Sequence, residues 1–258
     1  MINKIKKYVI RIKLLNNYSC KLQKYCSRSK IPVLICAYNR SHFVKKIIKQ
    51  LNKFNIKPII LDNNSKEKNL LKFYNNKKFQ KKYYLLKLDQ NYGPYIIYKK
   101  FILNYLPNYF AYSDPDIEIN RNINRHFLNI LKNYTDKYKI QKVGFDINVK
   151  NVKNIKIRIG TRNRNNKIIS KLVSLKKIMK KKSKDIIQKN PTIHKGRIDT
   201  TFCVYNKKFL EKDRLTALQI GDNFSCKHLP WEKNYKIPKN ENKFYIKTKI
   251  KDISSTDF

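Results

Sequence analysis

The sequence predicts an α/β fold: a central, mostly parallel sheet flanked by helices, with a variable second half. Three observations predict it. From residue 31 onward, short continuous apolar runs alternate with stretches of helical spacing. The connections between them are short, and each apolar run stops at a cluster of polar residues. Repeated β-α units of this kind imply parallel strands covered by helices, and such sheets bind ligands beyond the carboxyl ends of their strands.

Residues 31–37, rich in β-branched side chains, read as a strand buried on both faces. The polar stretch 38–41 ends it, with Ser41 as the expected N-cap of the next helix. In that helix Val44, Ile47, Ile48, Leu51 and Phe54 form one face, and Lys45, Lys46, Lys49 and Lys53 the other. A second strand over 58–61 ends at Asp62-Asn63-Asn64-Ser65, and a short helix covers 69–73. A third strand over 83–88 closes at Asp89-Gln90-Asn91-Tyr92-Gly93. Pro94 suits the first turn of a helix whose buried stripe is Tyr95, Tyr98, Phe101, Ile102 and Tyr105. A fourth strand over 109–113 delivers Asp114-Pro115-Asp116.

At 258 residues, 41% of them hydrophobic, the chain can bury a sizeable core. No apolar run approaches 18 residues, and the charged N-terminus lacks the apolar centre of a secretory signal. Five scattered cysteines without a Cys-x-x-Cys pair argue against structural zinc and a disulfide framework, so a reducing, cytoplasmic setting is expected. The formal charge of +43 suits nucleic acid, anionic lipid or an acidic substrate. It is also what a general inflation of Lys, Asn, Ile and Tyr would produce. One block stands out: residues 147–197 hold 17 Lys or Arg and one acid, Asp185. That block is either a functional basic surface or an irregular insertion.

Against 60 basic residues and 17 acidic ones, three carboxylates within residues 114–118 are conspicuous. Asp114 and Asp116, at i and i+2 in a loop stiffened by proline, can meet one hard divalent cation through oxygen. Such a cation would neutralise a diphosphate. No Gly-x-Gly-x-x-Gly and no Gly-Lys-Ser/Thr loop is present, so bound phosphates would depend on the metal.

Taken in order, residues 32–40, Leu61-Asp62-Asn63-Asn64-Ser65, Asn91-Tyr92-Gly93-Pro94 and Ser113-Asp114-Pro115-Asp116 resemble the landmarks of nucleotide-sugar-dependent glycosyltransferases of the GT-A (Rossmann-like) fold, family 2-like group. The resemblance covers residues 30–120, with a second patch at 197–235. It implies one domain over 1–258: a nucleotide-sugar-binding half at 30–120, and an acceptor-side half at 121–258 carrying the basic insertion. It implies that Ala37, Tyr38, Arg40 and Asp62 contact base and ribose, with Asn91 and Gly93 lining the same pocket. Asp116 would bind Mn²⁺ or Mg²⁺, and Asp114 would help through ribose or metal-bound water. In the second patch His228 becomes a third metal ligand and Trp231 a sugar platform. Asp199 is the leading candidate for the general base that takes the acceptor proton, with Glu232 and Asp222 behind it.

The resulting expectation is a hexosyltransferase-type enzyme moving a sugar from a UDP-sugar to a surface glycan or lipid-linked saccharide, with inversion. Peripheral contact with an anionic inner membrane face, through the N-terminal segment or Lys176 to Lys184, stands beside a purely solvated reading. Each site residue also has an architectural use: a turn cap for Asp62, a β-turn and helix cap for Asp114 and Asp116, an ion pair for Asp199, packing for His228 and Trp231. Two rival functions remain. A nucleic-acid-binding module leaves the carboxylate loop unexplained, so no nucleic-acid partner is expected. A sugar nucleotidyltransferase generally carries a glycine-rich N-terminal loop, and residues 37–42 contain no glycine.

Overall fold

The computed structural model describes residues 2–153, 156–162, 168–174 and 186–249. Strands β1 (Val33–Ala37), β2 (Ile59–Asp62), β3 (Tyr84–Lys87) and β4 (Tyr109–Ser113) form a parallel half-sheet in the order β3-β2-β1-β4. Beyond β4 the sheet continues through β11 (Cys203–Asn206), β6 (Lys142–Ile147), β12 (Thr216–His228), β10 (Thr192–Arg197) and β9 (Ile186–Lys189). β5 (Ile117–Ile119) pairs with the far end of β12. β11 runs antiparallel to both β4 and β6, whereas β6 and β12 are parallel. From β3 to β12, therefore, β11 is the one reversed strand, and the expected α/β class with a mostly parallel sheet holds.

Pleating sorts the β1 side chains to two faces. Val33, Ile35 and Ala37 pack under α2 (Ser41–Asn52), α3 (Lys68–Tyr74), α4 (Lys77–Lys82) and α6 (Phe127–Lys137). Leu34 and Cys36 face α1 (Ile2–Cys26) and α5 (Lys100–Leu103). α2 shows why the lysine-backed stripe specifies a helix: Phe43, Val44, Ile47, Ile48 and Leu51 are all buried. Each such side chain contributes about 1.5–3 kcal/mol over leaving it in water. α1 was not expected, yet Tyr18, Leu22 and Cys26, at helical spacing, are buried apolar positions on it.

Two local expectations fail. The long helix after Pro94 is a short 3₁₀ turn, Ile96–Tyr98, followed by the single turn of α5, because Lys99 is extended (φ −73°, ψ 132°). The residues that bury are Ile96, Ile97 and Ile102, a spacing no helical stripe has, while Tyr105 is exposed. Ser41 does not cap α2. It is the first helical residue, and its hydroxyl donates to Glu241.

The basic block contains a separate hairpin, β7 (Lys156–Arg162) with β8 (Ile168–Ser174), and then β9 and β10. The run from Lys176 to Lys184 lies outside the described residues. No disulfide joins any of the five cysteines, and all but Cys20 are buried. Among the described residues no helix is long and apolar enough to cross a membrane.

Candidate functional site

Three neighbouring strands turn away from the sheet on left-handed residues: Asn39 (φ 51°) after β1, Asn64 (φ 62°) after β2 and Gly93 (φ 81°) after β3. Asparagine and glycine tolerate this region best. Because β11 is reversed, the connection leading into it emerges at the same edge as the loops leaving β1 and β4. Asp114, Asp116 and Asp199 thereby share one rim with residues 37–40, 62–65 and 91–93.

Side-chain amides fix that rim. Asn39, fully buried, accepts from the backbone N–H of Lys66 and Glu67 and donates to Thr248 Oγ1. Asn63, missed as a site residue, donates to Gly93 O and Cys36 Sγ and accepts from Tyr92 N. Asn91 accepts from Gly93 N at 2.9 Å. Ala37 is buried and accepts from Asn63 N. Asp62 is buried, with one carboxylate oxygen taken by Ser65 N (2.8 Å) and the other by the Tyr74 hydroxyl (3.0 Å). Its carboxylate is thus committed to the loop, the turn-cap use, and burial raises its pKa despite those bonds.

The carboxylate cluster lies past β4. Asp116 Oδ2 pairs with Arg40 Nη1 at 2.7 Å, both side chains about nine-tenths buried. Asp116 Oδ1 is buried without a hydrogen-bond partner and lies 3.5 Å from His228 Nε2. Asp114 accepts a hydrogen bond from the Thr200 hydroxyl. Lost hydration, followed by the negative charges of Asp116 and Asp199, drives its pKa well above the ordinary range. Asp199 keeps accessible surface, yet the surrounding protein strips much of its hydration and raises its pKa. The neighbouring Tyr95 hydroxyl, then Lys142, His228 and Arg197, pull the shift back. Burial pushes His228 down, opposed by Asp116, so the imidazole is neutral at neutral pH and able to ligate.

Lys142 was not foreseen. It is fully buried at the start of β6, and its ammonium donates to Ile198 O at 2.6 Å, one residue before Asp199. Desolvation lowers its pKa.

The candidate metal ligands Asp114, Asp116 and His228 converge without forming a coordination set. Among the described residues no group of three His, Cys, Asp or Glu side chains stands ready to hold a metal. Arg40 and Thr200 each occupy a carboxylate oxygen that a cation would take. The chemistry of the residues fits a divalent ion nonetheless: an orphaned carboxylate oxygen, a neutral imidazole beside it, and a second carboxylate under like-charge repulsion.

Trp231 is not an open platform. It is 9% exposed, packed at a tilt against His228 (ring centroids 4.2 Å apart, planes at 35°) and against Val152, with a buried Nε1–H that lacks a partner. Glu232 stands apart from the three aspartates; the charges acting on it are Lys227 and Glu118. Asp222 accepts from Thr192 N at 2.7 Å in the bend of β12, an architectural use.

A C-terminal helix, α7 (Lys239–Thr248), lies across this rim. Tyr38 donates to Thr248 O at 2.8 Å, and the Arg40 guanidinium stacks 3.7 Å from the centre of the Tyr245 ring. A cavity of about 590 Å³ opens beside it, lined by Ser41, His42, Lys45, Lys239 and Glu241 among others. Its lining includes none of Asp114, Asp116 and Asp199.

No family model matches the chain, and no curated protein matches it. Solved structures do. S. aureus TarS 1–349 is 16% identical with a TM-score of 0.35, over 51% of this chain and 42% of that one, so the match spans less than half of TarS 1–349. The mannosyltransferase PcManGT from Pyrobaculum calidifontis, in complex with GDP-Man and Mn²⁺, is 9% identical with a TM-score of 0.46, over 90% of this chain and 69% of that one. HddC from Yersinia pseudotuberculosis, complexed with GMP-PN, is 12% identical with a TM-score of 0.46, over 85% and 100%.

Proposed function

We propose that the protein is a GT-A-type glycosyltransferase: a single catalytic domain that moves a sugar from a nucleotide-activated donor, a UDP-sugar, to a glycan or lipid-linked saccharide with a divalent cation. The observation that carries this reading is Asp116. A buried, unpartnered carboxylate oxygen facing a neutral histidine, beside a second strained carboxylate, is costly unless a cation is its purpose. Asp116 and His228 would hold Mn²⁺ or Mg²⁺, and Asp114 would join once released from Thr200. Bound there, the ion supplies charge neutralisation to a departing diphosphate.

The chain's own groups do the rest. Tyr38 and Arg40 offer a hydroxyl, an aromatic face and a guanidinium to the nucleoside end. Asn91 and Gly93 complete the wall, and Asp62 keeps the 62–65 loop in place. Asp199 takes the proton from the acceptor hydroxyl. Its raised pKa makes it a stronger base than a fully hydrated aspartate, with the Tyr95 hydroxyl beside it. Attack by an acceptor activated on the face opposite the diphosphate inverts the anomeric centre. Glu232 and Trp231 are set aside as catalytic and stacking groups.

A thermal-shift panel tests the reading. UDP with Mn²⁺ is expected to raise the Tm, and neither alone is expected to do so equally; oligonucleotide stabilisation unaffected by chelator would overturn it. pH adds a second arm. Asp114 and Asp199 have raised folded-state pKa values, so without metal their contribution to stability is full below the ordinary aspartate pKa and is lost as pH rises through the raised ones. Metal competes with those protons, so the Mn²⁺-dependent Tm gain is expected to grow over the same rise. A gain that shrinks with pH would count against carboxylate ligands.

We further place the protein at an anionic membrane face through α1, where Val9, Ile10 and Ile12 are exposed beside Arg11 and Lys13. Co-sedimentation with vesicles containing phosphatidylserine, lost on replacing Ile10 and Ile12 by Asp, is the expected result. Equal sedimentation of that variant would exclude α1.

A further inference from the structure

The C-terminal helix α7 engages the residues that a donor would need. Thr248 takes the Tyr38 hydroxyl through its backbone oxygen and the Asn39 amide through its own hydroxyl. Tyr245 covers the Arg40 guanidinium at 3.7 Å, which leaves no room for a base between them. Arg40 in turn holds Asp116, so one cation already sits on the carboxylate a metal would use. At the other end of α7, one oxygen of Glu241 accepts from the Ser41 hydroxyl and the His42 backbone N–H, both at 2.8 Å. A carboxylate at the start of α2 satisfies orphan N–H groups and the helix dipole, as an anionic ligand would. Just before α7, Tyr235 adds a 2.6 Å hydrogen bond to the His42 ring.

The helix is anchored by polar groups and by the half-buried ring of Tyr245. Glu241 is its only buried residue, Ile246 is exposed, and the second oxygen of Glu241 is buried without a partner. An element with so little apolar burial opens at low free energy compared with the sheet beneath it.

We propose that α7 is an autoinhibitory strap: Glu241, Tyr245 and Thr248 occupy the start of α2, Arg40 and the Tyr38–Asn39 turn, and nucleotide binding requires the strap to leave. This rests on the reading of Tyr38 and Arg40 as donor contacts. Release of Tyr245 frees Arg40, release of Arg40 frees Asp116, and the metal and nucleotide sites open together. The strap then lowers apparent affinity by the fraction of molecules in which it is open.

The test uses the full chain. Calorimetry measures the Kd of UDP and of GDP, each with Mn²⁺, for the native protein, Glu241→Ala and Tyr245→Ala. Amide hydrogen exchange follows residues 239–248 in the same samples. The strap predicts that both substitutions tighten nucleotide binding about tenfold, the shift expected when a nine-tenths-closed state becomes open. It also predicts that nucleotide speeds exchange in 239–248 of the native protein. Binding by the variants but not by the native chain supports it further. Nucleotide that slows exchange in 239–248, with weaker binding by both variants, would make α7 a roof of the pocket and overturn the strap while leaving the donor reading standing. No binding by any of the three proteins, with exchange in 239–248 unchanged by nucleotide, would overturn the donor reading and the strap with it.

Discussion

Asp116→Asn is expected to lower turnover by about 10³-fold, the loss typical of removing one preorganised charge-stabilising group, while folding stability stays near that of the native protein. The amide keeps an oxygen for Arg40 Nη1, so the buried guanidinium retains an acceptor in place of its 2.7 Å partner. What disappears is the negative charge, and with it the hold on a divalent ion. Asp116→Ala loses the same activity and strands the guanidinium as well. An uncompensated buried charge costs about 3–5 kcal/mol. Relief of repulsion at Asp114 offsets part of that, as does the stacking of Arg40 on Tyr245. Nucleoside diphosphate release from the donor selected in the thermal-shift panel, read beside urea unfolding of both variants, separates the two effects. Native turnover in Asp116→Asn would remove the cation from the proposed chemistry.

Gly144→Ala is expected to destabilise the fold by about 3 kcal/mol, the upper end of what overpacking costs. Gly144 sits in β6 opposite Cys203 of β11. A methyl group there would stand 2.4 Å from Phe202 O, 2.6 Å from Cys203 Cβ and 2.8 Å from Ile198 Cδ1. Ile198 Cδ1 ends a side chain that can swing aside, but the Phe202 carbonyl and the Cys203 Cβ are fixed to the backbone of β11 and its approach, so the strands must part. The atoms that give way border the connection bearing Asp199 and Thr200, which adds a functional expectation. Transfer is expected to suffer more than nucleotide binding, because the rim built by 37–40, 62–65 and 91–93 belongs to strands on the far side of β11. A urea midpoint equal to the native one would show that the β6–β11 contact is looser than the structure has it.

The parallel half was legible because each strand announces itself locally. A buried run followed at once by Asn-Arg, Asp-Asn-Asn or Asp-Pro-Asp fixes both the strand and its end, and β4 matched its expected range residue for residue. The segment after Pro94 misled because its tyrosines fall at helical intervals, while the side chains that bury are consecutive isoleucines. No local pattern reveals the extended Lys99 between them. The site was legible in part for the same reason. Asp114, Asp116, Asp199 and His228 stand at strand ends and lie close enough to act on one another electrostatically. Trp231 and Glu232 adjoin His228 in sequence, but the 3₁₀ turn Leu229–Trp231 carries them to the Val152 side. Lys142 reads locally as one more lysine among many. Only the β6–β11 pairing, with Ile198 O above it, makes it a buried cation near Asp199. The contacts of α7 with residues some 200 positions earlier lie beyond any pattern of spacing.

The chain has only five glycines, and the turns at Asn39, Asn64 and Gly93 are tied down by side-chain amides instead. A rim so fixed has little backbone freedom left to surrender when a ligand arrives, so the entropic toll of ordering falls elsewhere. It falls on the polar-anchored tail. On the proposed reading, recognition splits into a preorganised half that would set which nucleotide is accepted and a releasable half that would set how readily it gets in.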